Sequence, residues 1–145
     1  MVIYANRWGD ISLTNNIFHN PKVLIKCNNR EGSIHIQHNQ IVIDGIYNKS
    51  DGFMMLTGKE GGYVSICHNE ITIGNSILGF MVKGSNIDFM ENRVKLINVS
   101  MQSLYMSSED KTKVCNNHIS IDKDSRIGKS FSEVDMVSND IIFEL

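Results

Sequence analysis

Apolar and polar residues alternate along most of this chain, and asparagine interrupts the alternation at regular intervals. The segments HIQHNQIVI (35–43) and SICHNEITI (65–73) share one order: apolar residues at every second position, an asparagine, and then alternation again. A period of two is typical of β-strands with one buried face. Each window therefore predicts two short strands joined by a bend at the asparagine, and long capped helical patterns are absent.

The pattern recurs along nearly the whole chain. Six windows share the order apolar-x-apolar-x-x-Asn-x-apolar-x-apolar, with Thr112 as a lapse: 11–18, 34–43, 64–73, 87–96, 112–121 and 134–143. Their asparagines are Asn16, Asn39, Asn69, Asn92, Asn117 and Asn139, separated by 23, 30, 23, 25 and 22 residues. A repeat of this length predicts stacked supersecondary units.

Two solenoid folds have repeats of similar length. A leucine-rich repeat turns toward a helix after its asparagine, whereas this chain alternates again through Ile41 and Ile43. A parallel β-helix winds through three short strands per coil, and a third strand is predicted at 23–26, 53–56, 80–83, 104–107 and, more weakly, 126–129. The first and third residues of these segments, such as Phe80 and Val82, are predicted to point inward. The pattern favours the parallel β-helix.

In such a fold the asparagine at the bend turns inward, and its amide bonds to the equivalent amide one coil away. The resulting ladder satisfies polar groups that would otherwise be buried without partners. The sequence thus predicts an all-β fold: a right-handed parallel β-helix (solenoid) of about six coils with an inward asparagine ladder. We expect residues 1–145 to form one domain, which could be a fragment of a longer β-helix.

The repeat resembles the coil of the pectin-lyase-like superfamily of right-handed parallel β-helices, which includes polysaccharide lyases, glycoside hydrolases and phage tailspikes. The resemblance covers roughly residues 11–143. It is specific for a fold and uninformative about function. Its nearest implication is a segment of a phage tailspike or tail fibre, in which three β-helices pack side by side. Such a segment would reside in the virion or in the cytosol of the producing cell.

Outward columns of the predicted stack carry a second signal. An apolar column on the third strands predicts either covering loops or a subunit interface, and comprises Leu24, Met54, Met81 and Tyr105. Another such column comprises Gln37, Cys67, Met90, Cys115 and Val137. Two polar columns alternate in charge and predict surface ion pairs: Gln40, Glu70, Arg93, His118 and Asp140, and Ser65, Asp88, Lys113 and Asp135.

The predicted loops before each first strand hold the candidate ligand residues. These loops (27–33, 57–63, 107–111 and 128–133) would emerge on one side of the stack. The candidates for ligand binding are Arg30, Lys59 and Tyr63, and the candidates for catalysis are Glu31, Glu60, Glu109 and Asp110. Glycosidases require two carboxylates about 5–10 Å apart, which loops on adjacent coils could supply. Any acidic pair on neighbouring loops would do so, and solvated loops are the favoured interpretation.

Composition excludes several classes of partner. The net charge of −2, from 14 basic and 16 acidic residues, gives no reason to expect nucleic acid or an acidic membrane. The longest apolar run, at 77–82, is too short to span a bilayer, and the first residues do not resemble a signal peptide. Three cysteines without zinc spacing indicate reduced thiols, and we predict no metal and no cofactor.

Three functional hypotheses remain open. The first is a rigid, trimeric tailspike-like module that presents loops to a surface polysaccharide. The second is a polysaccharide lyase or glycoside hydrolase that uses the acidic loops. The third is a small standalone β-helix that binds a partner protein through its apolar column. We favour a binding module over an enzyme.

Overall fold

A computed structural model describes residues 2–5, 10–27, 32–44, 52–57, 62–75, 80–99, 104–125 and 135–144, and this part of the chain is all-β. Its strands are β1 (Val2–Ala5), β2 (Ile11–Thr14), β3 (Ile17–His19), β4 (Lys22–Cys27), β5 (Ser33–Gln37), β6 (Gln40–Asp44), β7 (Gly52–Thr57), β8 (Tyr63–Cys67), β9 (Glu70–Gly74), β10 (Phe80–Met90), β11 (Arg93–Ile97), β12 (Leu104–Cys115), β13 (His118–Ile121), β14 (Asp135–Val137) and β15 (Asp140–Phe143).

The strands form two parallel sheets, which confirms the predicted parallel β-helix. The second strands of successive coils form a six-stranded sheet in the order β15-β13-β11-β9-β6-β3. First and third strands share a nine-stranded sheet, because β10 and β12 each run through the third strand of one coil and the first strand of the next. Strands that neighbour each other in the stack lie one coil apart in sequence, as a solenoid requires.

The number of complete coils within the described residues is lower than the predicted six. Within the described residues, four coils have all three strands: β2 to β4, β5 to β7, β8 to the first part of β10, and the rest of β10 to the first part of β12. Two further coils are described by their first two strands, ending with β13 and with β15. β1 pairs with β4 and is the third strand of a coil that precedes β2. The predicted third strand at 126–129 lies outside the described residues.

The prediction of a loop at 107–111 was wrong. These residues belong to β12, which pairs with β10 on both sides of this segment. The register shifts between Gly84 and Asn86, where two residues of β12 lie opposite one residue of β10. This is a β-bulge, which absorbs the additional residue and bends the strand instead of opening a loop. The prediction relied on the polar composition of this segment alone and therefore assigned a paired strand as a loop.

Apolar side chains fill the interior in columns that follow the predicted alternation. The inward residues of the third strands, Phe80, Val82 and Met106, are buried, as predicted. The first and second strands contribute the other buried residues, including Ile34, Ile36, Ile41, Ile43, Val64, Ile66, Ile71, Ile73, Ile87, Phe89, Val94, Leu96, Val114, Ile119 and Ile121. Stacking of identical positions lets β-branched side chains interlock from coil to coil.

The asparagines form the predicted ladder through the core. The Asn69 Nδ2 donates to Asn92 Oδ1 at 3.0 Å, and the Asn69 backbone N–H donates to the same oxygen at 3.0 Å. The same two bonds join Asn16 to Asn39, Asn39 to Asn69, Asn92 to Asn117, and Asn117 to Asn139. Each amide also caps nearby carbonyls, as Asn69 Nδ2 does with Ile36 O at 2.8 Å.

The residue before each ladder asparagine adopts a left-handed backbone conformation. Its φ is positive in all six coils, at Asn15, His38, His68, Glu91, Asn116 and Ser138, with values of 60°, 54°, 57°, 55°, 56° and 58°. Such a conformation costs a non-glycine residue roughly 1–2 kcal/mol. The fixed hydrogen bonds of the following asparagine hold this bend, which turns the chain from the first sheet to the second.

The outward columns have the predicted register. Leu24 pairs with Met54, Met54 with Met81, and Met81 with Tyr105. Met81 and Tyr105 are half-buried, while the side chains of Leu24 and Met54 lie outside the described part. The polar columns are also in register, and His118 Nδ1 lies 2.9 Å from Asp140 Oδ2 in one of the columns predicted to form ion pairs.

Candidate functional site

A polar cluster lies on the outward face of the first strands. It comprises Asp10, Ser33, His35, Tyr63 and Asp88. The register places Ser33 of β5 beside Tyr63 of β8, and His35 beside Ser65, which in turn pairs with Asp88 of β10. Because parallel strands lie about 4.8 Å apart, outward side chains of three successive coils come within hydrogen-bonding reach of each other. Asp10 comes directly before β2 and joins the cluster from the coil that precedes β5.

Asp10, Ser33 and His35 form a hydrogen-bonded chain. The Ser33 hydroxyl donates to Asp10 Oδ1, the Ser33 backbone N–H donates to the same oxygen at 3.3 Å, and His35 Nε2 lies 3.0 Å from Ser33 Oγ. Since the hydroxyl has one hydrogen, which Asp10 accepts, His35 must donate from Nε2. The hydroxyl and backbone bonds from Ser33 lower the pKa of Asp10, so this carboxylate stays ionised.

Tyr63 and Asp88 form the second half of the cluster. The Tyr63 hydroxyl donates to Asp88 Oδ2 at 2.7 Å, and the His35 and Tyr63 rings meet edge to face with centroids 6.0 Å apart at 62°. Burial, and then the hydrogen bond to Asp88, raise the pKa of Tyr63 to about 12. The phenol is therefore protonated at neutral pH and acts as a donor with a fixed direction.

Two cysteines lie beside this cluster on the same sheet. Cys67 and Cys115 are free thiols and are buried, although their positions on the strands point away from the core. Cys67 Sγ lies 3.2 Å from Ser65 Oγ, and burial raises the pKa of the Cys67 thiol. A protonated, buried thiol is a poor nucleophile and a poor metal ligand, so Cys67 fills space at the base of the cluster.

Among the described residues, Tyr63 is the one candidate for a ligand site that belongs to this cluster. Tyr63 belongs to the cluster, whereas Arg30, Glu31, Lys59 and Glu60 lie outside the described residues. Asp110 is exposed in the β12 bulge, and the backbone of Glu109 is in β12 while its side chain lies outside the described part.

Sequence reasoning missed four members of the cluster. Asp10, Ser33 and His35 were not selected, and Asp88 was assigned to a solvated charged column. The available signal was the outward column that contains His35, Ser65 and Asp88, which carries a different polar residue at each step. Reading that column together with its neighbour two residues earlier, which contains Ser33 and Tyr63, would have placed them in one patch.

A second histidine pair lies at the bend before the ladder. The rings of His38 and His68 stack with centroids 5.0 Å apart and 2° between their planes, and His68 Nδ1 lies 3.1 Å from Glu91 Oε2. All three side chains are exposed. Across the described ranges, no group of three or more histidine, cysteine, aspartate or glutamate side chains is arranged to hold a metal ion.

The described part of the chain has no apolar helix of the length that a bilayer crossing requires. Comparison with known proteins gives no match to a family model, to a curated protein or to a solved structure. The site must therefore be interpreted from its own chemistry.

Proposed function

We propose that this β-helix is a rigid carbohydrate-binding module that presents the outward face of its first strands to a polysaccharide, as a segment of a phage tailspike or tail fibre would. The observation that carries the proposal is the juxtaposition of the Tyr63 ring, the His35 imidazole and the Asp88 carboxylate on one sheet surface. Sugars combine apolar ring faces with many hydroxyls, and a polarised aromatic ring beside mixed donors and acceptors complements both features.

The rigidity of the support favours recognition without rearrangement. Ser33, Tyr63 and Asp88 are on strands that pair on both sides, and Asp88 and Ser33 each have a fixed side-chain partner. Ligand binding to such a surface immobilises few protein side chains, and the associated entropic cost is therefore small. Three adjacent coils span about 10 Å of surface, which suits a chain of sugars better than a single one.

The protonation states favour binding over catalysis. General acid–base catalysis needs a group whose pKa lies near the working pH. Tyr63, with a pKa of about 12, and Asp10, with a lowered pKa, are far from that condition. The Ser33 hydroxyl donates to Asp10, whose lowered pKa makes this carboxylate a weak base, and His35 donates to Ser33 instead of accepting its proton.

The test is binding to an array of bacterial surface polysaccharides, followed by titration calorimetry with each polysaccharide that is retained. We expect Tyr63→Ala and His35→Ala each to weaken binding about tenfold or more, equivalent to roughly 1.4 kcal/mol. Lys95→Ala is the matched control, because Lys95 is exposed on β11 of the other sheet. Absence of any bound polysaccharide, or equal weakening by the control, would overturn the proposal. Release of reducing ends that Asp88→Asn abolishes would favour the enzyme instead.

The tailspike-like arrangement also includes lateral association through the apolar third-strand column. The in-register series Leu24, Met54, Met81 and Tyr105 supports a side-by-side trimer. Light scattering at low protein concentration should give a mass of about three times 16.4 kDa. Met81→Glu should yield monomers, whereas Lys83→Glu, a change on the same face of β10 two residues away, should leave the mass unchanged. A monomeric native chain would exclude the trimer.

A further inference from the structure

The outermost described strands at each end of the stack are sheet edges. In the six-stranded sheet β15 and β3 are the outermost strands, and β14 and β2 are the last strands at the corresponding ends of the first-strand stack. Within the described ranges, each of these strands pairs on one side only. An unpaired parallel edge presents backbone donors and acceptors to any strand of matching register.

The asparagine ladder makes these ends complementary. Each ladder asparagine donates from its backbone N–H and its Nδ2 to the Oδ1 of the asparagine in the following coil. Among the described residues, Asn16 Oδ1 therefore receives no hydrogen bond, and the Asn139 N–H donates to no acceptor. Within the described part of the chain, one end of the ladder therefore has an unused acceptor, and the other has an unused donor.

Apolar side chains are uncovered at the same ends. Ile141 and Phe143 continue the inward columns of Ile119 and Ile121, but their exposed fractions are 39% and 68%, whereas Ile119 and Ile121 are 1% and 2% exposed. At the opposite end, inward Leu13 is only half-buried, while Ile36, its partner in the next coil, is fully buried. The described apolar residues are thus most exposed at the coils where the described ladder has unused hydrogen-bonding groups.

We propose that a second copy of this chain stacks head-to-tail on the β15 end, with its own β2–β3 end continuing both sheets and the ladder. Asn139 would then donate to Asn16 of the second copy, and Asp140 would lie one coil step from Ile17 of that copy. Such a contact joins two different surfaces, so it does not close and adds copies along the solenoid axis. This axial contact is independent of the proposed lateral trimer and of the glycan site.

Thiol cross-linking tests the axial register directly. Ile17 and Asp140 are exposed and belong to one outward column, five coil steps or about 24 Å apart within one copy, but about 4.8 Å apart across the proposed contact. The double variant Ile17→Cys/Asp140→Cys, treated with a bismaleimide shorter than about two coil steps, should give a series of covalent multimers that rises with protein concentration. The control Ile17→Cys/Arg93→Cys has its second thiol in the middle of the stack and should give no covalent multimers. Equal multimer yields from the two variants would overturn the proposal.

Two matched substitutions distinguish specific packing of the inward column from nonspecific hydrophobic association. Ile141 and Ile142 are adjacent in β15 and similarly exposed, at 39% and 42%, but Ile141 continues the inward column while Ile142 pairs with outward Ser120. Ile141→Lys should reduce assembly, measured by sedimentation velocity, about tenfold or more, and Ile142→Lys should retain it. Equal assembly by both variants would refute the contact. If Ile141→Lys does not fold, as judged by circular dichroism, the cross-linking result decides.

Discussion

Asn69→Ala is the most informative perturbation of this fold, because Asn69 is central in the ladder and 1% exposed. The change removes an amide that accepts from Asn39 and donates to Asn92 and to two carbonyls. The Asn39 N–H, 2.9 Å from Asn69 Oδ1, loses its acceptor, and Ile36 O loses the donor at 2.8 Å. Cys67 O keeps a bond from the His38 N–H at 3.4 Å, so it is affected less.

The expected cost follows from these lost bonds. The Asn39 N–H becomes a buried donor without its acceptor, which costs about 1–3 kcal/mol, and the bond lost by Ile36 O adds about 1 kcal/mol, so the free energy of unfolding should fall by about 3 kcal/mol. Domains of this size have a total of roughly 5–15 kcal/mol, and the variant should therefore lose a large fraction of its stability at room temperature. Asn69→Asp should cost more at neutral pH, since it buries a charge beside Asn92 Oδ1 and retains no side-chain donor.

Asn16→Ala is the matched control at the end of the same ladder. Asn16 Oδ1 accepts no hydrogen bond from the described residues, and Asn39 Oδ1 still accepts from the Asn16 backbone N–H at 2.9 Å. Asn16→Ala should therefore lower the free energy of unfolding by only about 1 kcal/mol. Urea unfolding followed by circular dichroism gives both free energies. If Asn69→Ala destabilised no more than Asn16→Ala, the ladder would not stabilise the core as argued.

Three further predictions concern the bends, the charges and the core. Ser138 is exposed with a φ of 58°, so Ser138→Gly should stabilise by about 0.5–1 kcal/mol in urea unfolding and Ser138→Val should destabilise; the opposite order would contradict backbone strain at this bend. Burial acts to raise the pKa of Asp122, but hydrogen bonds from Ser125 and the Asn98 N–H outweigh it and lower the pKa below 3.8. The ionised Asp122 therefore stabilises the fold fully above pH 3.8, and this stabilisation disappears as the pH falls through the lowered pKa. Asp122→Asn should thus be less stable than the native chain near neutral pH, and this deficit should shrink as the pH falls below 3.8; a deficit independent of pH would refute this. Phe89→Ala should cost about 3–5 kcal/mol because Phe89 is fully buried, and a cost below about 1 kcal/mol would indicate a core that collapses around the cavity.

The architecture was predictable from the sequence because its signals are local and repeated. Alternation around Ile41, Ile43, Ile71 and Ile73 identifies strands, and the recurrence of asparagine identifies the coil length and the ladder. Inward positions follow directly, because a side-chain period of two leaves only one face for the apolar residues. The register of the outward columns then follows from stacking the repeats without a slip.

The bends and the bulge were not predictable in the same way. The left-handed position before the asparagine is occupied by residues as different as His38, Glu91 and Ser138, and of these only histidine is enriched in that conformation. The conformation is imposed by the ladder bonds of the next residue, which exist only once the coils stack. The segment 107–111 is polar enough to resemble a loop, and its pairing with β10 depends on tertiary contact.

The candidate site depends on stacking for a different reason. Asp10 meets Ser33, and Tyr63 meets Asp88, across 23 and 25 residues of sequence. On a single strand each of these residues is an ordinary outward polar side chain, and only the coil spacing turns them into neighbours.

The inward and outward columns of the solenoid differ in how far their residues can vary, and this limits where function can reside. The inward columns are restricted to apolar residues and asparagine because each position must match the coils on both sides. The outward column of His35, Ser65, Asp88 and Lys113 has no such restriction, and it carries a different chemical group at each step. A surface that varies while its support repeats can acquire specificity without loss of fold stability. The departures from periodicity on the first-strand face, rather than the ladder itself, therefore identify the place where a ligand should be sought.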